Sequence, residues 1–297
     1  MSIPKHFTTK LRRISTQPSL SRVWFRKHHA GHAQTGELLL SPLVELPSRS
    51  IPNVYQRPHY VCFPPAGGSI ALLHHLASAS PRAHVWGYQY PGRSHRVREP
   101  AAESIQELAA SATDDLVELF DARQLRNTVL VGFSFGGLVA LEVAQRMSSL
   151  GASPAALVMV GVIAPQRWES RRHITPQETD LLEEAALPQS DSSSELRAYT
   201  QQLLRADMLL AARYTGPTAN KAPCPIAALC GEEDWRRVDD DATEAWRIWS
   251  SGAFATWVTS GSHLGLLSQS RATEFWSWMK RIADHGIGPT THQKDCV

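Results

Sequence analysis

Three residues of this 297-residue chain have the types and the chain order needed to activate an oxygen nucleophile: Ser134 in VGFSFGG, Asp234 in GEED and His263 in GSH. A neutral serine attacks a carbonyl poorly. It needs a base to take its proton and a carboxylate to orient that base. Gly132-Phe133-Ser134-Phe135-Gly136 matches G-x-S-x-G, a pattern in which flanking glycines let a strand turn at once into a helix with a strained serine at the bend. The implied chemistry is acyl transfer through a serine ester. Taken alone, the same seven residues also fit an ordinary glycine-rich loop.

The base and the acid are chosen by position. Of the thirteen histidines, His74, His75, His84 and His95 precede the serine, His173 falls in an irregular helical stretch, and His285 and His292 follow the last helix. His263 directly follows the apolar run FATWVTSGS. Asp234 closes PIAALCGEED, where a short side chain at a strand end suits the role. Glu232, Glu233 and Asp239 to Asp241 lie nearby, but the last three read as the acidic first turn of a following helix. Acyl transfer also needs backbone donors for the developing oxyanion. Phe135 supplies one N–H, and the loop FPPAGGS (residues 63–69) after an earlier strand is the place for the other. Read by itself that loop is a tight turn, with Ser69 as the N-cap of the next helix.

These residues require a scaffold that brings several strand ends to one edge. The chain from residue 59 alternates apolar strands with helical segments: HYVCF, SIALLHHLASAS, HVWGYQY, AESIQELAASATDDLVELFDA, NTVLVGF, GGLVALEVAQRMSSLG, AALVMVGV, PIAALCG, DDDATEAWRIWS, FATWVTSG and RATEFWSWMKRIADHG. Such alternation implies crossover connections and a parallel sheet with helices on both faces. Residues of about 168–220 break the pattern with helices only, including LLRADMLLAARY, and read as a helical lid. Met208, Leu209 and Leu210 in it fit an apolar chamber or simple packing equally well.

Composition narrows the classes. Hydrophobic residues make up 42% and charged residues 20%, with a formal net charge of +2, so bulk electrostatics make no case for nucleic acid or a membrane surface. No run is long and apolar enough to span a bilayer, and monomer is the default state. Residues 1–36 hold seven Lys or Arg and no Asp or Glu; they lack the apolar core of a secretory signal, and a cytoplasmic protein is expected. That stretch and the Pro-punctuated residues to 58, which contain one short strand, read as an N-terminal extension. Residues 285–297 read as a flexible tail. Cys62, Cys224, Cys230 and Cys296 show no metal-site spacing, and the strand between Cys224 and Cys230 holds them too far apart for a disulfide.

The motifs CFPPAGGS, QYPGRSHR, VGFSFGGLVALEVA, LLRADMLLAARY, GEEDW and GSH, in this order, resemble those of the type II thioesterases of nonribosomal peptide and polyketide synthesis. The resemblance covers about residues 59–284. It implies an α/β-hydrolase fold, with a mostly parallel central sheet flanked by helices and a helical lid insertion. It also implies Ser134 as nucleophile, His263 as general base, Asp234 as its orienter, and the backbone N–H groups of Ala66 and Phe135 as oxyanion donors. Such enzymes need no cofactor and no metal. Their partners are acyl or peptidyl carrier domains, from whose phosphopantetheine arms they hydrolyse aberrant acyl or aminoacyl groups. Pro65 stands where the family usually carries a polar or aromatic residue. Arg93 and Arg96 of PGRSHR are candidates for a carrier's phosphate or for turn-stabilising salt bridges.

Three other functions are compatible with parts of the pattern. An acyltransferase shuttle between carriers would be favoured by Cys at position 134. A general carboxylesterase would carry an HGGG-type loop, which is lacking here. A non-catalytic scaffold would lack a member of the Ser–Asp–His order.

Overall fold

The computed structural model describes residues 41–47, 58–80, 83–167, 194–217, 221–234 and 243–285. The basic stretch 1–36, the first part of the helical insertion with His173, Asp239 to Asp241 and the tail beyond residue 285 lie outside them.

Seven strands form one sheet: β1 (Leu43–Glu45), β2 (His59–Phe63), β3 (His84–Tyr88), β4 (Thr128–Phe133), β5 (Ala156–Val160), β6 (Ile226–Gly231) and β7 (Phe254–Thr259). Their spatial order is β1-β3-β2-β4-β5-β6-β7. All neighbours run parallel except β1, which pairs antiparallel with β3 through Leu43 opposite Tyr88. Every residue of β2, β3, β5 and β6 is buried. That is why these strands read as unbroken apolar runs: a sheet covered on both faces has no reason to alternate.

The covering helices are α1 (His74–Ser78), α2 (Ile105–Leu119), α3 (Ala122–Arg126), α4 (Phe135–Ser149), α5 (Ser194–Arg213) and α6 (Ala272–His285). Helix α2 turns Ile105, Leu108, Ala109, Ala112 and Leu116 to the core, and the hydroxyl of Ser104 caps it by accepting from Glu107 N–H at 3.1 Å. One face of the sheet packs against α2, α4 and residues Leu204 and Tyr214 at α5. The other packs against α1 and α6, with Leu76, Phe275, Trp276, Trp278 and Met279 in the layer.

Two stretches are less regular than their spacing predicts. SIALLHHLASAS becomes a 3₁₀ turn over Ile70–Leu73, capped as expected by Ser69, followed by the single turn and a half of α1. The described part of DDDATEAWRIWS is also 3₁₀, over Glu244–Trp249, where Trp246 is fully buried and donates from Nε1 to Val162 O at 2.7 Å. Cys62 and Cys224 are buried free thiols, and Cys230 is buried as well.

Candidate active site

Ser134 stands between β4 and α4 with φ +51° and ψ −116°, a conformation that costs an L-residue with a Cβ of order 1–3 kcal/mol. The surroundings hold it there. Its N–H donates to Val160 O at 2.8 Å, and its carbonyl accepts from Gly137 N–H at 2.9 Å. The flanking glycines are required by contact: a Cβ on Gly132 would lie 2.3 Å from Gly137 Cα, and one on Gly136 would lie 2.2 Å from Phe63 O. The strand can therefore turn straight into α4 only with no side chain at either position.

Two later strands deliver the partners to the same edge. Asp234 lies just past β6 in a turn closed by its own N–H on Gly231 O at 3.2 Å. His263 lies just past β7. Its Nδ1 donates to Asp234 Oδ2 at 2.9 Å, and its Nε2 accepts from Ser134 Oγ at 2.9 Å. The three side chains are almost fully buried, whereas Glu232 and Glu233 point to solvent. A carboxylate on Nδ1 leaves Nε2 as the basic nitrogen facing the hydroxyl, which is the arrangement that makes serine a nucleophile.

The loop after β2 lies against the start of α4, as the Gly136 contact requires. Pro64 O accepts from the Tyr90 hydroxyl at 2.9 Å, and Pro65 O accepts from Gly68 N–H at 3.0 Å. Burial first, and then the nearby Asp207 carboxylate, push the Tyr90 phenol well above its ordinary pKa, so it stays a donor. The Tyr90 ring meets Phe135 edge-on at 5.7 Å. Among the described residues, the Ala66 N–H has no acceptor. No group of three or more His, Cys, Asp or Glu that could hold a metal occurs among them either.

The remaining sequence candidates divide. Met208 and Leu210 pack partly buried against the core, while Leu209 is 57% exposed. Leu209 and Leu210 also line a cavity of about 470 Å³ with Gly92, Ala102, Leu108 and Leu203. Arg96 makes the expected local salt bridge, to Glu99 at 2.6 Å. Arg93 does not: it reaches across to α5 and binds Asp207 with two nitrogens, at 2.7 and 2.6 Å. Neither guanidinium stands open for a phosphate, because each is engaged by a carboxylate. Asp207 is a functional candidate that motif spacing does not single out; its signal is its place in the stripe Leu204, Asp207, Ala211, Tyr214, a charge on the core-facing side of a mostly polar helix.

The chain matches the family model described as "Thioesterase domain" over residues 58–282. The chain belongs to the thioesterase family. Thioesterase PikA5 of Streptomyces venezuelae is 31% identical over 70% of this chain and 75% of its own length. A probable cadicidin biosynthesis thioesterase of Streptomyces griseus is 27% identical over 85% of this chain; the match spans 64% of that relative's length. Among solved structures, the type II thioesterase BorB from the borrelidin biosynthetic cluster is 28% identical, with a TM-score of 0.66 over 86% of this chain and 99% of BorB. The thioesterase described here thus shares sequence and fold with type II enzymes of biosynthetic pathways. No helix among its described residues is long and apolar enough to cross a membrane.

Proposed function

We propose that this thioesterase is a type II editing enzyme of nonribosomal peptide or polyketide synthesis. It hydrolyses acyl or aminoacyl thioesters on the phosphopantetheine arms of carrier domains in the cytoplasm. The observation that carries the reading is the continuous hydrogen-bonded line from Asp234 Oδ2 through His263 to Ser134 Oγ, at 2.9 Å for each link. In the proposed cycle, Ser134 Oγ attacks the thioester carbonyl carbon as His263 Nε2 takes its proton. The carbonyl oxygen becomes an oxyanion facing the N–H groups of Ala66 and Phe135. Collapse breaks the C–S bond, and the leaving thiol takes the proton from His263. Water, deprotonated by the same nitrogen, then attacks the Ser134 ester, releasing the acid and restoring the hydroxyl. Asp234 holds the imidazole in the required tautomer throughout. Every proton is carried by this chain's own groups, so the cycle calls for no cofactor.

The test is a carrier domain loaded with acetyl-phosphopantetheine. Release of acetate and of the free thiol, followed by mass spectrometry, is expected with the native enzyme and not with Ser134→Ala. Appearance of the acetyl group on a second carrier rather than in acetate would replace hydrolysis by transfer.

A further inference from the structure

Asp207 touches no part of the triad, yet it grips the loop that carries Ala66. Its Oδ2 accepts from Gly67 N–H at 2.8 Å and from Arg93 Nη1 at 2.7 Å, while its Oδ1 accepts from Arg93 Nη2 at 2.6 Å. Arg93 Nη1 also donates to Gly68 O at 3.3 Å. Asp207 and Arg93 are 1% and 5% exposed, so water does not compete for these bonds and each is correspondingly directional. Leu204, one turn earlier on α5, presses on the same loop: a Cβ on Gly67 would lie 3.0 Å from Leu204 Cβ.

The consequence follows from peptide geometry. Ala66 N–H belongs to the Pro65–Ala66 peptide plane, whose carbonyl is held by Gly68 N–H at 3.0 Å. The next plane, Ala66–Gly67, is held at its N–H by Asp207. Because each plane is rigid, holding one atom of each restricts the rotations at Ala66 that could swing its N–H away. One of the two anchors comes from a helix about 140 residues away in sequence. The Arg93 guanidinium also lies over the Tyr90 ring, 5.3 Å from its centroid. That ring in turn meets the Phe135 side chain edge-on at 5.7 Å.

We propose that Asp207, oriented by Arg93, is a positioning residue that aims the Ala66 N–H at the oxyanion, so that the hole is formed only with α5 seated on the loop. This rests on the reading of Ala66 as an oxyanion donor. The cost of losing the clamp is that of a misaimed donor, below the roughly 10²- to 10³-fold of a donor removed outright.

The test compares Asp207→Asn, Asp207→Ala and Arg93→Lys with Tyr214→Phe, which removes a different buried tie of the same helix segment. Each is assayed for hydrolysis of p-nitrophenyl acetate, for binding of a trifluoromethyl ketone, whose serine adduct places an oxyanion in the hole, and for thermal stability. Asp207→Ala is expected to lose roughly 10- to 100-fold in kcat with little change in KM, and the ketone's affinity should fall by the same factor. Asp207→Asn should recover part of the loss, since its Oδ1 still accepts from Gly67, and Arg93→Lys should lose less than Asp207→Ala. Tyr214→Phe should lower the melting temperature without weakening the ketone. Equal effects of Asp207→Ala and Tyr214→Phe on ketone affinity, or none, would overturn the proposal. If Asp207→Ala does not fold, Arg93→Lys decides by the same comparison. A native enzyme that binds the ketone but leaves acyl carriers intact would refute the substrate assignment alone; one that does not bind it would refute the oxyanion reading and this inference together.

Discussion

Gly161, directly after β5, leaves its α-carbon bare against the imidazole of His263. A Cβ built there would lie 3.0 Å from Cε1 and 3.1 Å from Nδ1. The residue also has φ +63°, so a side chain is disfavoured by conformation as well as by space. Gly161→Ala is expected to push the ring off its line between Asp234 and Ser134. The outcome is a loss of about 10-fold in kcat, less than the roughly 100-fold of a 1 Å displacement, with a stability loss of about 1–2 kcal/mol. Ester hydrolysis and urea denaturation measured on the same variant check both. Unchanged kcat would show that the ring has room to yield.

The strain at Ser134 gives an expectation independent of substrate. Ser134→Ala keeps the Cβ and therefore the strain, whereas Ser134→Gly releases it. Both variants should be inactive, and the glycine variant should be the more stable by about 1 kcal/mol despite its greater unfolded-state entropy. Denaturant midpoints of the two proteins, with equal m-values, provide the comparison. A glycine variant less stable than the alanine one would mean that the backbone at this position is at ease.

Tyr214, just past α5, donates from its hydroxyl to Glu142 Oε1 at 2.7 Å, and Glu142 lies in α4 with no exposed surface. Burial, followed by the Glu142 carboxyl, pushes the phenol far above its ordinary pKa and keeps it a donor. Tyr214→Phe should cost about 1–3 kcal/mol, the range for a buried hydrogen bond whose partner keeps its desolvation penalty. A double-mutant cycle with Glu142→Gln measures the coupling; a coupling energy of zero would show that the contact is incidental.

At the opposite edge of the sheet, His59 stacks on His84 with ring centroids 4.9 Å apart and accepts from Trp86 Nε1 at 3.2 Å on Nδ1. Burial, and secondarily His84, lower its pKa from 6.5 to about 4. A histidine lowered in the folded state binds fewer protons than the unfolded chain between these values. Its neutral state therefore costs nothing above pH 6.5, while stability falls as the pH drops from 6.5 and stops falling near 4. The full effect is about 3 kcal/mol at roughly 1.4 kcal/mol per unit. His59→Gln keeps an acceptor for Trp86 and should remove that slope from unfolding free energies measured across pH 7 to 4. An unaltered slope would assign it to other groups.

The strands, the elbow glycines and the order Ser134, Asp234, His263 were legible because they depend on local rules. Fully buried strands such as ALVMV must be apolar throughout, and a strand that turns directly into a helix must have Gly132 and Gly136. Asp234 was separable from Glu232 and Glu233 only by side-chain length. The folded chain adds the deciding difference, since it buries the aspartate and leaves both glutamates in water. The antiparallel direction of β1 left no mark in LVE, because three residues pair equally well either way.

What the sequence determined by itself is which groups exist and at which ends of which elements they stand: a serine at an elbow, an acid and a histidine after later strands, and glycines wherever a Cβ has no room. Only the tertiary structure decided which distant groups meet. Arg93 reads as a partner of its own turn or of a phosphate, yet both its terminal nitrogens bind Asp207, 114 positions later. Periodicity and spacing report a residue's neighbours along one element, whereas the partner of a buried charge is chosen by how separate elements pack. The clamp on the Ala66 loop belongs to that second kind of information.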